Sequence, residues 1–186
     1  MKKVLIISYY WPPNTGSGVQ RWLKFSKYLL NYDWKPIIVT PENPYIELKD
    51  SELEKEVSDK IEVIKLPIWE PYSLKDMFFG NKKKSQTSGL ISKSNSYTNI
   101  FLNWLRGNFF IPDPKKYWIK PTFNSLKKII KEKDINYIVS TGPPHSMHLI
   151  ALELKKMYGH IKWIADFRDP WTKLDILEDF SLNDRS

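Results

Sequence analysis

The stretch Lys3-Val4-Leu5-Ile6-Ile7-Ser8, followed by Tyr9-Tyr10-Trp11-Pro12-Pro13-Asn14-Thr15-Gly16-Ser17-Gly18, decides the fold. Its first part is an unbroken apolar run, the mark of a strand buried on both faces in a parallel sheet. Its second part is a loop closing on two glycines. Beyond it, apolar Val19, Trp22, Leu23, Leu29 and Leu30, with small Ser26 between them, recur at helical spacing. Arg21, Lys24 and Lys27 take the opposite side, so an amphipathic helix is predicted from Val19 to about Asn31. Lys35-Pro36-Ile37-Ile38-Val39-Thr40 reads as a second strand, its proline at the start where no ladder bond is lost. Strand, glycine loop, helix and strand make a βαβ unit.

Working outward, Asp50 to Lys60 is charged and predicts a short exposed helix, and Ile61 to Leu66 a third strand. From 67 to 120 the periodicity fails. Lys82-Lys83-Lys84, a Ser- and Asn-rich run from Ser85 to Asn99, and apolar pieces such as Met77-Phe78-Phe79 and Phe109-Phe110-Ile111 read as an irregular basic and aromatic excursion from the sheet. Order returns with a helix from Pro121 to Lys133 and a strand from Tyr137 to Ser140. A turn follows from Thr141 to Ser146, then a helix from His145 to Tyr158 ended by Gly159. A fifth strand, Ile161 to Ala165, leads into Asp166-Phe167-Arg168-Asp169-Pro170-Trp171. The expected fold class is α/β, a Rossmann-like doubly wound parallel sheet.

The length of 186 residues suits one sizeable α/β domain and not two. Aromatics make 15% of the chain, with eight Trp, more than a small core needs, so some are expected to line a groove or a membrane-facing surface. A net charge of +8 is compatible with nucleic acid, anionic lipid or a phosphorylated substrate and does not choose among them. With no cysteine there is no disulfide and no thiolate metal site. Met1-Lys2-Lys3 and the apolar run after it are too short for a signal-peptide core, and no stretch approaches the roughly 20 apolar residues of a spanning helix. The expectation is a cytoplasmic protein that can touch a membrane without crossing it.

In a doubly wound sheet, ligands bind at the carboxyl ends of the strands. Three loops qualify. In the first, Gly16-Ser17-Gly18 precedes a helix, whose free N–H groups and positive dipole end suit a pyrophosphate; a plain loop and N-cap is the alternative. The pattern lacks the third glycine of the dinucleotide fingerprint and the Gly-Lys-Ser/Thr of a P-loop, which argues against NAD and ATP. In the second, His145 and Ser146 follow Gly142-Pro143-Pro144, with His148 one turn on. His145 there can bond a hydroxyl or phosphate or act as a base, or it is a turn residue while Ser146 caps the helix. Without Cys or a Glu-x-x-His pattern, no metal is expected. In the third, Asp166 and Asp169 flank Arg168. Either Arg168 holds one of them as a structural pair, or one acid serves sugar hydroxyls while Trp171 stacks on a sugar face.

Taken in order, these stretches resemble the N-terminal domain of GT-B fold glycosyltransferases, in particular the family 4 retaining enzymes of bacterial polysaccharide synthesis. The resemblance is carried by Lys3–Pro13 with Gly16-Ser17-Gly18-Val19-Gln20-Arg21, and by Ile111-Pro112-Asp113-Pro114-Lys115-Lys116-Tyr117-Trp118. It continues with Ser140-Thr141-Gly142-Pro143-Pro144-His145-Ser146 and Trp163-Ile164-Ala165-Asp166-Phe167-Arg168-Asp169-Pro170-Trp171. It implies two Rossmann-like domains facing across a cleft, of which residues 1–186 are a truncated acceptor-side half, inactive alone, with the nucleotide-sugar domain beyond Ser186. It implies His145 and Asp169 as catalytic residues. Gly16, Ser17, Gly18, Arg21, Gly142, Ser146, Arg168 and Trp171 would contact the donor phosphate or substrate. Its implied partners are a nucleotide-sugar donor, which is a substrate and not a cofactor, and a glycan or lipid-linked acceptor at an anionic membrane surface. Many relatives have two adjacent glycines where Ser17 intervenes here. The competing readings are a basic nucleic-acid-binding module, although no recognised nucleic-acid motif is present and no such partner is expected, and a nucleotide-sugar epimerase of the same architecture.

Overall fold

The structure is a computed structural model that describes residues 1–44, 48–69 and 112–169. Its elements are β1 (Lys2–Ile7), α1 (Ser17–Leu30), β2 (Trp34–Pro41), α2 (Ser51–Lys55) and β3 (Glu62–Leu66). After a 3-10 turn, Pro114–Trp118, come α3 (Ile119–Lys133), β4 (Tyr137–Gly142), α4 (Ser146–Met157) and β5 (Lys162–Phe167). All five strands are parallel, in the order β3-β2-β1-β4-β5. The doubly wound reading of the alternating pattern is what the chain adopts.

Period-two alternation along the strands divides the core. Leu5 and Ile7 of β1, Ile37 and Val39 of β2 and Ile138 of β4 face α3 and α4, meeting Leu126, Ile130, Met147, Ile150 and Leu154. Val4, Ile6, Ile38 and Val139 face the other way, onto Trp22 and Leu23 of α1 and Leu53 of α2. Each fully buried side chain of this kind stabilises the fold by about 1.5–3 kcal/mol, so both sides of the sheet contribute.

Several boundaries differ from expectation. The excursion is shorter than 67–120 at both described ends. Ile68 is buried, and Trp118 is completely buried with its indole Nε1 donating to the Leu66 carbonyl at 3.3 Å. An indole of that size sealed in the core anchors the returning chain. Lys82–Lys84, Ser85–Asn99 and the aromatic pieces around them lie outside the described residues. Helix α3 begins two residues before Pro121, which sits in its first turn where no N–H is needed. Helix α2 is not fully exposed, because Leu53 is buried beneath it, and Asp50 caps it by accepting from Glu52 N and Leu53 N. Gly159 does not form a left-handed cap. Gly16 alone among the described glycines has positive φ, and the carbonyl of Gly159 instead accepts from Lys155 Nζ at 2.5 Å. Strands β4 and β5 each run two residues further than predicted, pairing Thr141 with Asp166 and Gly142 with Phe167.

Candidate functional site

Because β1 is flanked by β2 on one side and β4 on the other, the connections leaving β1 and β4 diverge, and the carboxyl edge between them is the topological switch point at which sheets of this kind bind ligands. The loops after β1, β4 and β5 all reach that edge, and two side chains tie them together.

Arg168 is the first. Its Nε donates to the carbonyl of Gly142 at 2.9 Å and its Nη2 to that of Pro143 at 2.9 Å. Its guanidinium lies against Gly18: a Cβ added there would stand 2.0 Å from Nη1 and 2.8 Å from Cζ. A side chain at 18 would push the guanidinium aside, so the group that the bare glycine admits in this structure is Arg168. Arg168 was expected to hold Asp166 or Asp169; it holds backbone carbonyls instead. The run Pro143-Pro144 has no N–H to offer, and the carbonyls at the end of β4 take their donors from the arginine.

Asp166 is the second. It lies within β5, not in a loop, and strand geometry turns its carboxylate toward α1. There it accepts from Arg21 Nη2 at 3.1 Å, Trp22 Nε1 at 2.9 Å and Thr141 Oγ1 at 3.0 Å. The start of α1 is thus bonded to β5 through Asp166 and packed against the end of β4 through Arg168. Gly16, at φ 112°, precedes the helix without any side-chain cap, and Ser17 is the first helical residue.

His145 occupies the N-cap position of α4 and is buried. Ser146 is not the cap. Its N and Oγ both donate to the carboxylate of Asp113, each at 2.8 Å, and Asp113 also accepts from Lys115 N at 2.8 Å. A residue 33 positions earlier caps this helix, so the hydroxyl expected to reach a ligand is already donated. His148 is buried beside His145; its Nδ1 is 2.8 Å from Ser140 Oγ, which also accepts from Trp163 Nε1 at 2.9 Å. Phe167 stacks on His148 with ring centroids 4.1 Å apart and on His145 at 5.7 Å. A Cβ on Gly142 would fall 2.7 Å from His148 Nε2 and 2.9 Å from His145 Nδ1, so the pair needs glycine there.

Burial holds the His145 imidazole below its usual range, with Arg168 adding to the effect and Asp113 and Asp169 opposing it. Burial pushes His148 down to about 4, helped by His145 and opposed by Asp166. His148 is neutral at pH 7.

Of the sequence-derived residues, Gly16, Ser17, Gly18, Arg21, Gly142, His145, Ser146, Arg168 and exposed Asp169 lie on the three segments that meet at this rim; Trp171 lies outside the described residues. Asp113 and His148 were missed as site residues. The polar His148 beside the apolar stripe Met147, Ile150, Ala151 and Leu154 was the available signal for one, and Asp113 gave no local signal. Among the described residues no group of three or more His, Cys, Asp or Glu could hold a metal ion, and no helix is long and apolar enough to cross a membrane.

No family model matches the chain, and no curated protein matches it. Several solved structures are similar. Sucrose-phosphate synthase from Thermosynechococcus elongatus is 10% identical with a TM-score of 0.47, over 91% of this chain and 33% of that one. Apo UGT2 of Phytolacca americana is 11% identical with a TM-score of 0.49, over 89% of this chain and 29% of that one. The C-terminal domain of a hydrogenase from Pyrococcus furiosus is 16% identical with a TM-score of 0.43, over 88% of this chain and 90% of that one. The chain thus spans about a third of the first two. Strand order and register, with the switch point between β1 and β4, make this chain a Rossmann-like α/β domain.

Proposed function

We propose that the chain is the acceptor-binding half of a retaining glycosyltransferase that moves a sugar from a nucleotide-sugar to a glycan or lipid-linked acceptor in polysaccharide biosynthesis. The observation that carries this reading is the junction at the carboxyl edge, where Arg168 spans Gly18, Gly142 and Pro143. A guanidinium set against the uncapped, positive end of α1 concentrates positive charge where a diphosphate would lie. Such a site stabilises a leaving diphosphate while the acceptor attacks from the same face, with no protein nucleophile. Asp166 already accepts from three donors and acts as a structural pin; exposed Asp169 and buried His145 are the groups that meet the transferred sugar and the acceptor hydroxyl. On this reading the nucleotide is held mainly by a further domain, no metal is needed, and the protein works at the cytoplasmic face of a membrane carrying its acceptor.

Nuclear magnetic resonance of the chain titrated with UDP-glucose tests the reading. Shifts of the Gly16 and Gly18 amides that vanish in Arg168→Ala are the expected result, and a rim unmoved at millimolar ligand would sink it. A radiolabelled transfer assay on residues 1–186 should show no product; sugar transfer by this chain alone would refute the division of labour.

A further inference from the structure

Polar atoms sealed inside a protein are paired with few exceptions, and each exception asks for a cause. Nε2 of His148 is one: it is buried, the residue is only 5% exposed, and no described atom bonds it. Its tautomer follows from the bonds around it. The Trp163 indole N–H can only donate, so Ser140 Oγ accepts from it. Oγ keeps a second lone pair that could accept from Nδ1, but Nδ1, at 2.8 Å, is the one acceptor the described residues offer the Ser140 hydrogen; donating it there makes Nδ1 the acceptor and places the ring hydrogen on Nε2. Leaving such a donor unmet carries its full desolvation cost. The donor lies at the rim described above, against the bare face of Gly142 and under the half-exposed ring of Phe167.

We propose that His148 is a ligand-contacting residue whose Nε2–H, set as a donor by Trp163 and Ser140, bonds an oxygen of the sugar substrate at the bare face of Gly142. This rests on the sugar-transfer reading above. A neutral donor takes a lone pair, so the partner is a sugar hydroxyl or a phosphate oxygen. The neutral state holds at pH 7 because burial keeps the imidazole near 4.

Two-bond proton–nitrogen spectra of the chain labelled at histidine nitrogen read the tautomer directly. Ligand-free protein should show hydrogen on Nε2, and Ser140→Ala should give a mixture; hydrogen fixed on Nδ1 in the parent protein overturns the proposal. UDP-glucose, UDP and methyl glucoside are then titrated separately. With UDP-glucose, the His148 Nε2 resonance should move on the same saturation curve as the Gly18 amide. Movement with UDP assigns the contact to phosphate, and movement with methyl glucoside assigns it to the sugar. His148→Leu should weaken UDP-glucose roughly tenfold, as loss of one hydrogen bond does, and His148→Gln, whose amide can donate from a similar place, should recover most of that. If Gly18 responds while His148 does not, the contact is wrong and the functional reading stands; if neither responds, both fall.

Discussion

The two ends of α1 meet the same strands and do opposite things. At its start, Gly18, Arg21 and Trp22 engage Arg168 and Asp166 in a set of directed polar contacts. Toward its other end, Phe25, Tyr28 and Leu29, with Trp34, Tyr137 and Ile164, line an open, almost wholly apolar cavity of about 640 Å³. Trp22 belongs to both, with its ring in the cavity wall and its indole N–H on Asp166. The lesson is that cavity size does not locate the chemistry here. The roomy end is a sheet face that α1 covers only in part, and the crowded end is where chain reversal forces glycines, histidines and an arginine together.

That contrast can be broken by substitution, beginning at the polar end. Asp166→Ala removes the shared acceptor of Arg21, Trp22 and Thr141 and should cost about 3 kcal/mol by urea unfolding, because it strands the part-buried donors of Trp22 and Thr141 while half-exposed Arg21 adds little. A loss under about 1 kcal/mol would mean that solvent replaces the carboxylate there. Next comes acid. His148 has its folded value depressed to about 4 from 6.5, so as pH falls below 6.5 the unfolded chain takes up the proton first. Stability should therefore be complete above pH 6.5 and fall by about 3 kcal/mol on the way to pH 4. His148→Gln should flatten that slope, and an unchanged slope would show that other groups carry it. Trp22→Phe keeps the ring in the cavity wall and deletes only the bond to Asp166, so about 2 kcal/mol should go, separating the two duties of one side chain. Smallest is Ile164→Ser at the apolar end: with the side chain 66% exposed, stability should change by less than about 0.5 kcal/mol. A larger loss would mean that something covers that face in solution.

Much of this architecture was readable from local pattern. The run Val4 to Ile7 could only be a strand covered on both sides, and Met147, Ile150, Ala151 and Leu154 lie on the inward face that their spacing implied. The boundaries that slipped did so where a partner decides them. Asp166 and Phe167 join β5 because Thr141 and Gly142 are there to pair with. Trp118 leaves the irregular stretch because Leu66 offers it a carbonyl inside the core.

Sequence by itself determined the alternation of strands and helices, and hence three loops at one edge of a parallel sheet, because hydrophobic period and turn residues act between near neighbours. Only the tertiary structure decided what those loops do to one another: that Asp113 caps α4, that Arg168 occupies the space above Gly18, and that Ser140 and His148 share a buried hydrogen bond. The reason is physical. A hydrogen bond between residues 25 or 33 positions apart depends on angles and distances that the intervening fold sets, and no spacing in the chain encodes them.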